Sequence, residues 1–188
     1  HGNASGLCGS NMNGGPNGKM IIDGSVSDSA GFRMMSGTIE ITGSAWDEAG
    51  CEVAGGTLII KGNAGASLGL SMTGGRIVVH GNCHSAAGDE MAGGEILIKG
   101  SVVGECLGNS MRGGLIEVEG DCSRFAGDSM TGGTIIIHGR LGLEPAKYEG
   151  RLNHDFIDIV RTRDGKTIFY ERENPDERIR DRVKKGRS

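Results

Sequence analysis

The chain has 188 residues, a formal net charge of −4, and 36 glycines against only three prolines, a length that suits one domain or one domain with an appendage. Collagen would need a three-residue period and much proline, disorder would need few aliphatics, and a membrane span about 18 consecutive apolar residues; the sequence meets none of these conditions. From Lys147 onward twelve Lys/Arg stand against nine Asp/Glu, too weak a basic excess to steer nucleic acid, though the shift marks a boundary near Leu143.

In chain order, His1-Gly2-Asn3-Ala4 matches Lys61-Gly62-Asn63-Ala64, so the sequence is expected to begin mid-coil, with an N-terminal part preceding it. A glycine-rich insertion over Gly14–Gly18 comes before a degenerate first strand that ends at Gly24. The segment MSGTIEITG (35–43) then recurs as AGGTLIIKG, TGGRIVVHG, AGGEILIKG, RGGLIEVEG and TGGTIIIHG. The closing glycines Gly43, Gly62, Gly81, Gly100, Gly120 and Gly139 are spaced by 19, 19, 19, 20 and 19 residues. The extra residue of the long coil falls around Val102–Gly104. Between strands lies G-x-x-M, as in Gly69…Met72, Gly88…Met91, Gly108…Met111 and Gly127…Met130.

Nineteen residues are too few for a strand, a helix and two connections. They do suit short strands joined by glycine corners, where φ > 0 carries no Cβ penalty. The expectation is an all-β fold: a right-handed parallel β-helix of about seven coils over 1–143, roughly 34 Å long. A charged C-terminal tail follows over 144–188. In it, Phe156–Val160 and Thr167–Tyr170 flank Arg163-Asp164-Gly165 as a hairpin. Asn174-Pro175-Asp176-Glu177 opens a short helix, and the whole reads as a cap on the last coil.

Alternation turns Ile39/Ile41, Leu58/Ile60, Ile77/Val79, Ile96/Ile98, Ile116/Val118 and Ile135/Ile137 inward. Val26, Ala45, Ala64, Cys83, Val102 and Cys122 form a third inward column, and the methionines a fourth. Core filling is the expectation for these cysteines and methionines, over a soft-metal site. The residues between inward pairs point outward: Glu40, Ile59, Val78, Leu97, Glu117 and Ile136. Ile59, Val78, Leu97 and Ile136 are therefore the candidate partner interface, since a contiguous apolar patch marks a docking site. The alternative is that the chain's own tail covers the row. His80 and His138, three coils apart, are expected to be solvated, as are the acid pairs Asp47-Glu48 and Asp89-Glu90.

No HExxH, nucleophile elbow or P-loop occurs, and glycine matches to GxGxxG fall at coil corners. No catalytic, cofactor-binding or metal residue is assigned, and the purified chain is expected to carry no Zn, Fe, Mo, W or pterin. Five cysteines with no CxxC pair suit a reducing cytoplasm. No nucleic-acid or membrane partner is expected.

The repeated G-G-x-I-x-I-x-G, with G-x-x-M between copies, resembles a glycine-rich domain shared by two families. These are the glycine-rich β-helix subunits of formylmethanofuran dehydrogenase and the C-terminal domain of the glutamate synthase large subunit. The resemblance covers residues 1–139. The regular run from Met72 to Gly139 is more similar to the dehydrogenase family, although that family often has a longer glycine-rich corner mid-solenoid. The resemblance implies a non-catalytic scaffold in a complex that reduces CO2 to formylmethanofuran. Neighbouring proteins of the complex would then carry a molybdenum or tungsten pterin and iron–sulfur clusters. The rival expectations are a separately encoded glutamate synthase-type domain and a β-helix enzyme acting on polysaccharide.

Overall fold

The computed structural model describes residues 6–122, 125–142, 157–161 and 167–171. Seven short strands form the parallel part of a single sheet: β1 (Lys19–Ile22), β2 (Thr38–Ile41), β3 (Thr57–Ile60), β4 (Arg76–Val79), β5 (Glu95–Ile98), β6 (Arg112–Val118) and β7 (Gly132–Ile137). They pair in sequence order, each with the next. Ile39, Leu58, Ile77, Ile96, Ile116 and Ile135 stand in register from coil to coil. A parallel sheet in which every strand neighbours the next copy of itself is a β-solenoid, and no helix occurs among the described residues. The extra residue of the long coil enters between Val102, which bridges Cys83, and Leu107, which bridges Ala87.

The expected inward columns are buried. Both strand columns from β2 to β7 are sealed from solvent, as are Met34, Met72, Met91, Met111 and Met130, with Val53 in the same place. Cys83 and Cys122 are core filling, and burial pushes the Cys83 thiol up to about 12. The core also has a fifth column that the sequence pattern did not suggest: Ala30, Ala49, Leu68, Ala87, Leu107 and Ala126 are all buried. Its signal is the Ala or Leu that immediately precedes the corner glycines Gly31, Gly50, Gly69, Gly88, Gly108 and Gly127.

The closing glycines stand at corners for a reason other than the one expected. Left-handed backbone occurs at many glycines, Gly75 (φ +77°) among them, but Gly43, Gly62, Gly81, Gly100, Gly120 and Gly139 are not in that region. They are small because the neighbouring coil presses on them. A Cβ on Gly43 would lie 2.5 Å from Ser25 Oγ, and one on Gly81 would overlap Asn63 Oδ1. Those oxygens belong to a ladder that runs along the rod. Ser25 Oγ accepts the Ser44 N–H (3.0 Å), Ser44 Oγ the Asn63 N–H (3.0 Å) and Asn63 Oδ1 the Asn82 N–H (2.9 Å). Asn82 Oδ1, Ser101 Oγ and Asp121 Oδ1 continue it to the amides of Ser101, Asp121 and Arg140. The side chains satisfy backbone donors at a corner where no strand partner is available.

The corners also hold non-glycine residues at positive φ, including Glu48, Glu52, Ser67, Ser71, Ala86 and Glu90. Left-handed backbone costs an L-residue about 1–2 kcal/mol. It persists because each of these residues donates its N–H to the next coil, as Ser67 does to Ser85 O (2.9 Å) and Glu90 to Asn109 O (2.8 Å).

The two ends differ. At the first, β1 is the outermost strand among the described residues, with Ile21 60% exposed. At the other, β8 (Ile157–Arg161) and β9 (Thr167–Glu171) form the expected hairpin, and β9 pairs antiparallel with β7. The hairpin thus occupies the edge that the last coil would otherwise leave open. The Arg163-Asp164-Gly165 turn, the helix from Asn174 and the partial coil at His1 lie outside the described residues.

Candidate functional site

The outward face of the sheet is built by the same alternation that fills the core. Register places Glu40, Ile59, Val78, Leu97, Glu117 and Ile136 in one row, with Ile168 of β9 paired to Ile136 at its end. Ile59, Val78 and Leu97 are half-buried by their neighbours in the sheet. Three adjacent coils therefore present a continuous aliphatic strip, about 10 Å between its outer strands.

Ile136 is different from the other three. It and Ile168 are each only 1% exposed, so the face near β7 is covered within this single chain. Cover by the chain itself thus holds at Ile136 and Ile168, whereas the strip on β3–β5 is not sealed.

Charge brackets the strip. At one end Glu40 lies 3.0 Å from Lys19 Nζ and 3.7 Å from Lys61 Nζ. The hydrogen bond from Lys19, more than its charge, holds the Glu40 carboxyl below its ordinary range. At the other end Glu117 meets His138 Nε2 at 2.8 Å. His138 is therefore paired, which corrects the expectation of a solvated histidine. On one flank Arg76 and Glu95 pair across β4 and β5 at 3.0 Å. The other flank carries Lys61, His80 and Lys99, all exposed. A slight loss of hydration against the sheet, then the charges of Lys99 and Lys61, lower the pKa of His80. An apolar centre within a rim of charged groups has the anatomy of a protein–protein interface.

The acid pairs are also more structured than expected. Asp47 Oδ1 accepts the Ala66 N–H (2.7 Å) and Asp89 Oδ1 the Asn109 N–H (3.1 Å). Glu48 and Glu90 accept hydroxyls from Ser29 and Ser71 in the coil before. Burial pushes the Asp89 carboxyl up to about 6, against the Asn109 amide and with Glu90 adding to the rise. These acids brace corners one coil apart.

Among the described residues no three His, Cys, Asp or Glu side chains group closely enough to hold a metal ion, and no helix is long and apolar enough to cross a membrane. The chain matches no protein-family model, and no curated protein is similar to it at a significant level. What the structure establishes is a parallel β-solenoid whose last coil is closed by an antiparallel hairpin.

Proposed function

We propose that this solenoid is a structural scaffold that docks another protein along the outward face of β3–β5, in a cytoplasmic complex of the formylmethanofuran dehydrogenase type. The observation that carries the reading is the strip Ile59–Val78–Leu97, continuous in register and rimmed by charge. Ile59, Val78 and Leu97 are already half-buried, so cover by a partner adds about half of the roughly 1.5–3 kcal/mol of full burial for each, and together they form one apolar centre for an association. The flank of Lys61, His80 and Lys99 fits a partner surface with acidic residues beside its own apolar centre. The particular complex rests on the repeat, G-G-x-I-x-I-x-G with G-x-x-M, and on the regular coils from Met72 to Gly139. In that reading the chain orders its neighbours, and they hold the pterin metal and the iron–sulfur clusters.

Purification of the tagged chain from native extract tests this directly. Stoichiometric recovery of proteins bearing molybdenum or tungsten is the expected result. Recovery of an amidotransferase and a glutamate-forming synthase would assign the chain to the other family. Recovery of the chain alone would refute the scaffold reading.

A further inference from the structure

A groove of about 720 Å³ opens on the corner side of the rod, away from the docking strip, and is lined by Trp46, Asp47, Asn63, Gly65, His84 and Ser85 among others. Its form follows from the coil register. Ala45, Ala64 and Cys83 bridge one another in successive coils, so the residues after them, Trp46, Gly65 and His84, also stack. Trp46 and His84 stand two coils apart, about 9.6 Å along the rod, and Gly65 between them has no side chain. The result is a slot one coil wide, with an indole on one wall and an imidazole on the other.

A Cβ on Gly65 would lie 2.6 Å from the Trp46 carbonyl carbon and would also overlap the Asp47 carboxylate, so the packing of the corner keeps the slot empty of side chain. Trp46 is 63% exposed. Such an indole leaves a large apolar face in water beside groups that hydrogen-bond.

The polar groups of the groove are held in place by the backbone. Asn63 Oδ1 is occupied by the Asn82 N–H and Ser44 Oγ by the Asn63 N–H, which leaves the Asn63 amide hydrogens and the Ser44 hydroxyl proton as donors. Asp47 is pinned through one oxygen by Ala66 and keeps acceptor capacity. Ser85 Oγ lies 3.1 Å from His84 Nδ1. No Lys or Arg is among the lining residues, so no fixed positive charge there favours a phosphate, and the Asp47 carboxylate opposes one.

We propose that this groove binds a neutral hexose unit of an oligosaccharide. The slot admits one ring, whose apolar C–H face stacks on Trp46. Its hydroxyls meet short, pinned donors and acceptors, and the absence of cations disfavours nucleotides. Few polar groups converging on an apolar surface, in a volume of this size, is the usual form of a small-ligand site.

The chain has a single tryptophan, so tryptophan emission, excited selectively over the tyrosines, reports this site alone. Full-length protein is titrated with cellohexaose, maltohexaose and N-acetylchitohexaose, and with adenosine monophosphate as a ring that carries phosphate. A saturable change with at least one oligosaccharide is expected, and none with the nucleotide. Calorimetry should then show binding at least tenfold weaker in His84→Ala and lost in Trp46→Ala, with the circular dichroism of both variants unchanged. Three results would each overturn the proposal: silence with all three sugars, a response to the nucleotide alone, or equal sugar affinity in wild type and both variants.

Discussion

Gly81 shows how much of this fold is decided by single atoms. Its backbone φ is not in the left-handed region, and alanine would be tolerated there but for the Asn63 carboxamide and the Gly62 carbonyl, the latter 2.7 Å from the position of a Cβ. Gly81→Ala should therefore cost about 2–3 kcal/mol, the range of overpacking against groups that cannot move aside, measured as a fall in the denaturation midpoint. The expectation that these glycines serve positive φ had the right positions and the wrong cause, because steric closeness between coils leaves no local mark in one copy of the repeat. Asp89 gives a second residue-scale prediction. Its folded pKa of about 6 lies above the unfolded value of about 3.9, so its contribution is fully present below about pH 4. It is lost as pH rises through about 6. Asp89→Asn keeps an oxygen for the Asn109 amide and should stabilise the chain at pH 7–8 by about 1 kcal/mol, allowing for solvent screening. Denaturation midpoints of both proteins at pH 4 and 8 check this, the difference between them vanishing at the lower pH.

At the scale of the strand, two neighbouring residues have opposite roles. Val79 is fully buried and Val78 points out of the sheet. Val79→Lys places an unpaired charge in the core and should prevent soluble folding. Val78→Lys should fold with an unchanged thermal midpoint. Ile136 occupies the same row as Val78, but at 1% exposure its replacement by lysine should destabilise the isolated chain by at least about 3 kcal/mol. Soluble expression and thermal midpoints of the three variants separate these outcomes. Alternation made the inward and outward residues legible in sequence. The burial of Ile136 was not, because nothing in the alternation of β7 separates it from Val78 in the same outward row. The column from Ala30 to Ala126 escaped for another reason: alanine and glycine alternate so densely at the corners that an inward alanine looks like turn composition.

For the whole molecule, the nineteen-residue spacing carries most of the architecture, since a solenoid repeats one set of contacts between neighbours. The slot between Trp46 and His84 was in principle visible in the same alignment, as a glycine between two ring residues in stacked positions. It is hard to see there because a repeat pattern brings out what every coil shares, and the slot belongs to three coils only. Among the described residues the two sides of the parallel sheet differ: β7 is paired with β9, while β1 has β2 alone as its neighbour. Removal of residues 144–188 should expose the β7 edge and produce concentration-dependent association, seen by light scattering, that the full chain lacks.

The central claim is that the strip on β3–β5 holds a partner. Its most direct measurement is side-by-side affinity purification, from native extract, of tagged wild-type chain and tagged Val78→Lys. The docking account predicts stoichiometric partner proteins with wild type and a loss of at least tenfold in their recovery with the variant, at equal yield of folded bait. Equal recovery of the same partners by both baits would contradict it.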